Sequence, residues 1–322
     1  MAALLLGSSG LMAQSTAYTD PSGFVTIDIT PAPGAGQSST TAFSVTLRNS
    51  KLYTGSATAV SGQTITVTGA GWTPSTQWAD AAKPHLVYVA TATGEEAFLI
   101  TENTADTLTV SASYDLDTRF SNGATIFIVE APTLGSLFGT DPADVQFLQG
   151  SVSDADNLYL WAGSSWVTYY FNGSSWKSTS NPFGIANNDV VFPDDGIFVI
   201  RRSTGVLALV LTGSVPTESQ LSNIASGSTF VGSRYPVDTT ISQMAFNNLP
   251  GWATGSISDA DGVHFWTGTA WKIYYHTGVS WKASDNPFGN ADDDVIPGNS
   301  ALFIIKASAG DGSAEAEKPY SE

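Results

Sequence analysis

Four aspartates come in pairs at alternate positions, Asp154 with Asp156 and Asp259 with Asp261, each pair inside a Ser-Asp-Ala-Asp run. Two carboxylates brought together by a turn can share one hard cation, with backbone carbonyls and water completing the roughly six to eight oxygens that calcium takes. Asn157 follows one run and Gly262 the other, and both residue types tolerate the left-handed backbone that closes such a loop. Two carboxylates alone hold the ion weakly. Asp189 and Asp294, which end the clusters beginning at Asn187 and Asp292, are the repeated residues able to supply a further one. Calcium is thus the one cofactor the sequence admits. The loop lacks the glycine and distal glutamate of an EF-hand, and the same aspartates also serve as turn formers that bond their own backbone.

The second set is aromatic. Trp166, Tyr170, Trp176 and Lys177 recur as Trp271, Tyr275, Trp281 and Lys282. Rings exposed on a sheet can stack on sugar rings while the lysines bond hydroxyls, which would make a glycan the ligand. Cross-strand aromatic pairs buried in a sheet explain the pattern without any ligand, each contributing roughly 0.2 to 1 kcal/mol.

Nucleophilic catalysis has little to work with. There is no cysteine, and the histidines are His85, His264 and His276. His264 and His276 answer to Tyr159 and Phe171 in the other copy of the repeat, so the fold asks only for a ring there. His85 follows Pro84 and is expected to be solvated or to cap a strand. No nucleophile elbow, phosphate loop or dinucleotide fingerprint appears. Paired carboxylates for glycoside hydrolysis meet in space rather than in sequence, so spacing does not decide that case. The chain is read as a non-enzyme.

Composition narrows the partners. With 29 acidic and 12 basic residues the net charge is -17, so nucleic acid is excluded as a partner: the chain repels phosphates and has no counterions to release. No run approaches the roughly 18 apolar residues of a membrane-spanning helix. The apolar run Ala2 to Leu6, followed by small and polar residues as far as Ala13, reads as the remnant of a secretory signal over residues 1–14. The expected location is outside the cell, at its surface or in the periplasm.

These residues sit on a chain of short alternating runs bounded by Gly, Ser, Asn and Asp, the mark of strands. The fold class is read as all-β: an N-terminal β-sandwich or barrel over 15–130, then a duplicated β-meander pair with pseudo-two-fold symmetry over 131–310, then a disordered acidic tail over 311–322. The duplication is plain in the sequence. Ser153 to Ser203 aligns without a gap on Ser258 to Ser308, with 23 of 51 positions identical, and the full repeats run from about 126 to 212 and about 229 to 308. A lone meander leaves one face bare, so the two units are expected to share one core. Short helices or turns are expected over 133–148, 217–225 and 239–248, and Val206 to Leu211 reads as a fully buried strand. Trp72 and Trp78, in a polar loop, are expected to cover the end of the N-terminal core, with contact to a ligand as the alternative.

The order of these landmarks carries a resemblance. The run from Thr19 to Thr26, the run from Leu99 to Val110, Thr133 to Gly139, the duplicated aspartate and Trp-Tyr-Tyr-Trp runs, and Leu211 to Thr217 together resemble an uncharacterised family of exported bacterial proteins, often present as many paralogues in one genome. The resemblance covers nearly the whole chain and implies export and a β-rich duplicated body. It attaches no activity, cofactor or site residue. The repeats are also similar in composition to those of cell-wall choline-binding modules, but those are short and tandem, whereas here the copies lie far apart. The expected function is that of a structural or adhesive protein of the bacterial surface or matrix, with glycans, other envelope proteins or further copies of itself as partners. A secreted carbohydrate-binding protein, or a glycosidase, is the alternative.

Overall fold

The computed structural model describes residues 21–307 and 311–320; the signal remnant expected over residues 1–14 lies outside them. The first aromatic meander forms a five-stranded antiparallel sheet in the order Trp176–Ser178, Trp166–Phe171, Asn157–Trp161, Gly196–Arg201, Ser39–Ser44. The second forms another, in the order Trp281–Ala283, Trp271–His276, Gly262–Trp266, Ala301–Lys306, Gly227–Gly232. Strand for strand the two orders match. The first sheet is accompanied by a two-strand antiparallel ladder, Ser22–Ile29 with Leu207–Ser214, and the second by Gln220–Ile224 paired with Gly312–Ala316, which is also bridged in parallel from Gln220 to Glu95.

The hairpins follow from local chemistry. Gly163, Gly173, Gly268 and Gly278 all hold positive φ in the tight turns, a conformation that costs glycine nothing. Aromatic pairs then face each other across the hairpins, Trp161 with Trp166 and Phe171 with Trp176 in the first body.

This topology moves several boundaries. The strands Ser22–Ile29 and Ser39–Ser44 belong to the first body rather than to an N-terminal domain ending at 130. What stands apart is the inserted region from Lys51 to Glu130, whose sheet runs Lys51–Ser56, Thr125–Glu130, Lys83–Ala90, Glu95–Asn103, Thr107–Ser111, Thr64–Thr66, Ala59–Ser61. Its two outer strands do not pair, so it is not a closed barrel. Val60 and Ile65 from one end and Ile126 and Ile128 from the other share one core, under Trp72, Trp78, Leu116 and Phe120. Trp72 and Trp78 are therefore buried, as expected. The opposite face, with Leu86, Tyr88, Phe127 and Val129, packs on Val190 and Phe192 of the first body.

Other expectations give way. Residues 312–316 form a strand, with Ala314 and Ala316 buried, instead of a disordered tail. Residues 220–224 are also a strand. Among the described residues helix is limited to Leu134–Phe138, capped reciprocally by Thr133 and Ser136, and to the short turns Leu116–Thr118 and Phe246–Asn248. Leu207, Leu209 and Leu211 point inward while Val206 and Val210 are exposed, because that strand has a single neighbour and one bare face. The two bodies do not share a core. Leu134, Leu158, Phe171, Trp176 and Val199 centre one, and Ile241, Val263, Tyr274, Trp281 and Ile304 the other.

Candidate functional site

Register assigns each meander two faces. In the first body Trp176 pairs with Phe171 on the core side, where it is fully buried and donates its indole N–H to the Gly139 carbonyl at 2.8 Å. Trp281 is equally buried, with its ring against Trp252 and His276; Tyr275, paired with Lys282 on the opposite face, is buried as well. These rings are closed to any ligand. Tyr170 is half-buried on the opposite face, paired with Lys177.

Neither lysine is free for sugar hydroxyls. Lys177 Nζ donates to the Gly184 carbonyl at 2.8 Å and Lys282 Nζ to the Gly289 carbonyl at 2.9 Å. Each thereby braces an Asn-Pro-Phe-Gly turn, in which Asn181 or Asn286 Oδ1 also accepts from the glycine amide at 3.1 Å.

The aspartates are likewise occupied. Asp156 is buried; its Oδ2 accepts from the Leu148 amide at 2.8 Å and from Arg201 Nη1 at 2.6 Å, and its Oδ1 from the Arg202 amide at 2.6 Å. Asp261, also buried, accepts from the Ala253 and Ala307 amides at 2.9 and 2.8 Å. Each stitches the start of a meander strand to the end of its neighbour. Asp154 and Asp259 instead turn to the hydroxyls of Ser151 and Ser256. Asp189 bonds Tyr169, and burial raises the pKa of both. Asp294 accepts from Lys272 Nζ at 2.8 Å. Burial alone would lower the Lys272 pKa; its bonds to Asp294 and Asp285 raise it instead. The expected set of Asp154, Asp156 and Asp189, or of Asp259, Asp261 and Asp294, is not brought together. Among the described residues no three His, Cys, Asp or Glu side chains gather as a metal site requires.

The histidines have packing roles. His85 is buried rather than solvated, with Nδ1 3.2 Å from the Trp78 carbonyl and its ring on edge to the Trp78 ring. Burial pushes both His85 and His264 below the ordinary imidazole range.

What remains open is the seam between the two bodies. Trp161 of the first donates its indole N–H to the Ser228 carbonyl of the second at 2.9 Å, and Trp266 of the second donates to the Thr40 carbonyl of the first at 3.2 Å. Phe198 and Phe230 stack across the seam, centroids 4.7 Å apart and planes within 8°. Phe303 meets Trp161 at 5.2 Å, and Trp271 meets Phe198 at 5.6 Å. Trp166 and Trp271 are 36% and 40% exposed. A groove of about 330 Å³ opens there, lined by Thr40, Tyr159, Trp166, Phe198, Ile200, Trp266 and Trp271.

The groove lies where the two bodies differ. Phe230 is paired in register with Phe303, while Ala42 is paired with Phe198. A Cβ on Gly196 would come within 2.5 Å of Phe230; at the matching position of the second sheet stands Ala301. A ring over glycine fills one side of the seam. Ala42 holds the place on the other side that matches Phe230, while the Ala301 Cβ lies 3.0 Å from where a Cβ on Gly196 would stand.

Sequence reasoning had named Trp166 and Trp271 but not the rest of this lining. Trp161, Trp266, Phe198 and Phe303 are identical between the copies, a signal that was available. Thr40, Ala42 and Phe230 lie outside the aligned blocks, and nothing in the sequence brings them to the seam. Compared with protein-family models, curated proteins and solved structures, the chain finds no match.

Proposed function

We propose that the protein is an exported, non-enzymatic structural or adhesive protein of the bacterial surface or matrix. Its body is read as two duplicated β units about a pseudo-two-fold axis, and the seam groove as the surface that holds an apolar or aromatic group of a partner. The observation that carries this is the lining: aromatic rings and Ile200, with the Thr40 and Tyr159 hydroxyls and the tryptophan indole N–H groups as the polar side-chain atoms and no charged residue. Such a surface gains most from burying another apolar group, about 25 cal/mol per Å² removed from water, with ring-on-ring contacts adding to it. The matching strand orders and the reciprocal indole bonds support the two-fold reading. The packing roles of the histidines support the non-enzymatic one.

The carbohydrate reading draws on the same half-exposed rings, Trp166 and Trp271. It is the weaker reading, because ligand sites set polar groups where they fix orientation and both lysines are engaged with their own turns.

Tryptophan fluorescence separates the two. N-acetyl-phenylalaninamide is expected to perturb the emission of the wild type and leave that of Trp271→Ala far less changed, while gluco-oligosaccharides have little effect. Response to the sugars and none to the aromatic probe would overturn the proposal in favour of carbohydrate binding.

A further inference from the structure

The most exposed large side chains of the body include two phenylalanines on matching turns, Phe183 at 96% and Phe288 at 95%. The turns that carry them are braced. Lys177 and Asn181 fix the first turn, Lys282 and Asn286 the second. A ring presented on a braced turn loses little freedom when it is buried, which favours binding.

The two knobs differ in charge. Residues 180–185 carry none, and Ile185, 69% exposed, widens the apolar tip beside Phe183. The turn of Phe288 follows Asp285, itself 60% exposed, with Asp292, Asp293 and Asp294 close behind in sequence. The groove, too, is uncharged. On a chain of net charge -17, two copies repel over most of their surfaces, and a neutral knob meeting a neutral groove is where they can approach. The volume also agrees, since about 330 Å³ is ample for one aromatic side chain.

Resting on the groove reading above, we propose that its occupant is the Asn181–Ile185 turn of a second copy of this chain, with Phe183 inserted between Trp166 and Trp271. The proposed contact is head to tail, each copy giving its knob to one neighbour and its groove to another, unlike the reciprocal exchange of a two-fold dimer. It produces open chains. One turn buries far less than the roughly 1,200 Å² of a stable interface, so assembly is weak, grows with concentration, and strengthens as salt screens the acidic surfaces.

The test is sedimentation velocity on the full-length protein at rising concentration, at low and high salt. The wild type is expected to pass beyond dimer, more so in high salt. Phe183→Ser, at an exposed position that leaves folding intact, is expected to stay monomeric, and Phe288→Ser to assemble like the wild type. Thr40→Arg blocks the groove while keeping the carbonyl that Trp266 uses, and is also expected to stay monomeric. Mixing Phe183→Ser with Thr40→Arg leaves one good knob and one good groove, so dimers form and nothing larger. A wild type monomeric throughout, assembly by Phe183→Ser, or a mixture that stays monomeric would each overturn the proposal. If N-acetyl-phenylalaninamide still binds the groove of such a monomeric wild type, only the choice of occupant fails; if it does not, the groove reading fails as well.

Discussion

Trp166 and Trp176 come from the same motif, ten residues apart on one meander, and meet opposite fates. Each closes a hairpin opposite another aromatic ring. Yet Trp176 is sealed in the first core with its indole bonded to Gly139, while Trp166 stands over the seam, its ring on edge to Trp161 and Phe230. The same split separates Trp271 from Trp281. The reason is parity. Trp166 and Phe171 lie on one strand five residues apart, an odd number, so they point to opposite faces, and each carries its hairpin partner with it. One repeated motif therefore builds both the core and the exposed surface.

Substitutions break this comparison most sharply at the core. Trp176→Ala and Trp281→Ala empty filled sites and are expected to cost about 3 to 5 kcal/mol each, whereas Trp166→Ala and Trp271→Ala cost about 1 kcal/mol. Chemical denaturation of the four variants checks this, and equal losses would contradict the two-face assignment. Asp156→Ala is expected to cost a comparable ~3 to 5 kcal/mol, since it leaves Arg201 buried without its carboxylate. A loss below about 1 kcal/mol would mean that the pair is solvated.

The bodies also differ where Asp194 and Asp195 of the first answer to Asn299 and Ser300 of the second. Burial, and then the neighbouring Asp194, push Asp195 up to about 8, above the roughly 3.9 of an unfolded aspartate. The folded chain therefore keeps a proton that the unfolded chain has lost. Stability contributed by the neutral form is complete below the unfolded pKa and is lost as pH rises to about 8. Asp195→Asn is expected to flatten that decline, seen as a smaller fall of Tm between mildly acidic and mildly alkaline buffer; an unchanged slope would assign the proton elsewhere.

Smaller effects are expected at the turns. Lys177→Met and Lys282→Met each remove one hydrogen bond to a turn carbonyl and should cost about 1 kcal/mol, with faster amide exchange at Gly184 or Gly289. The smallest effect concerns calcium. Because the aspartates are bonded to amides, hydroxyls and cations, neither millimolar calcium nor chelator is expected to shift Tm; a rise with calcium would show a site that these bonds had hidden.

Much of the architecture was legible in the sequence because it is local. The short alternating runs of the inserted region form strands, among them Thr64–Thr66, Lys83–Ala90, Glu95–Asn103, Thr107–Ser111 and Thr125–Glu130, and the two like stretches form sheets of matching strand order. What was hidden is long-range. Ser39–Ser44 completes a sheet whose other strands begin more than a hundred residues later, and no local signal announces that. Gly312–Ala316 read as tail because a short run of small residues is apolar enough for a strand only when a partner, here Gln220–Ile224, waits for it. The aspartates misled for a similar reason: repetition marked them as important, but their task is to bind backbone amides across the fold. The two faces of the meander could have been read from parity alone, and the seam would then have separated Trp166 from Trp176 at the outset.

The most direct measurement follows the indole ¹H–¹⁵N resonances of the nine tryptophans while N-acetyl-phenylalaninamide is added. The resonances of Trp166, Trp266 and Trp271 are expected to shift together and saturably, while those of Trp176 and Trp281 stay still. Stationary groove resonances, or shifts at Trp176 and Trp281, would contradict the claim that one repeated motif forms a closed core on one face and a binding seam on the other.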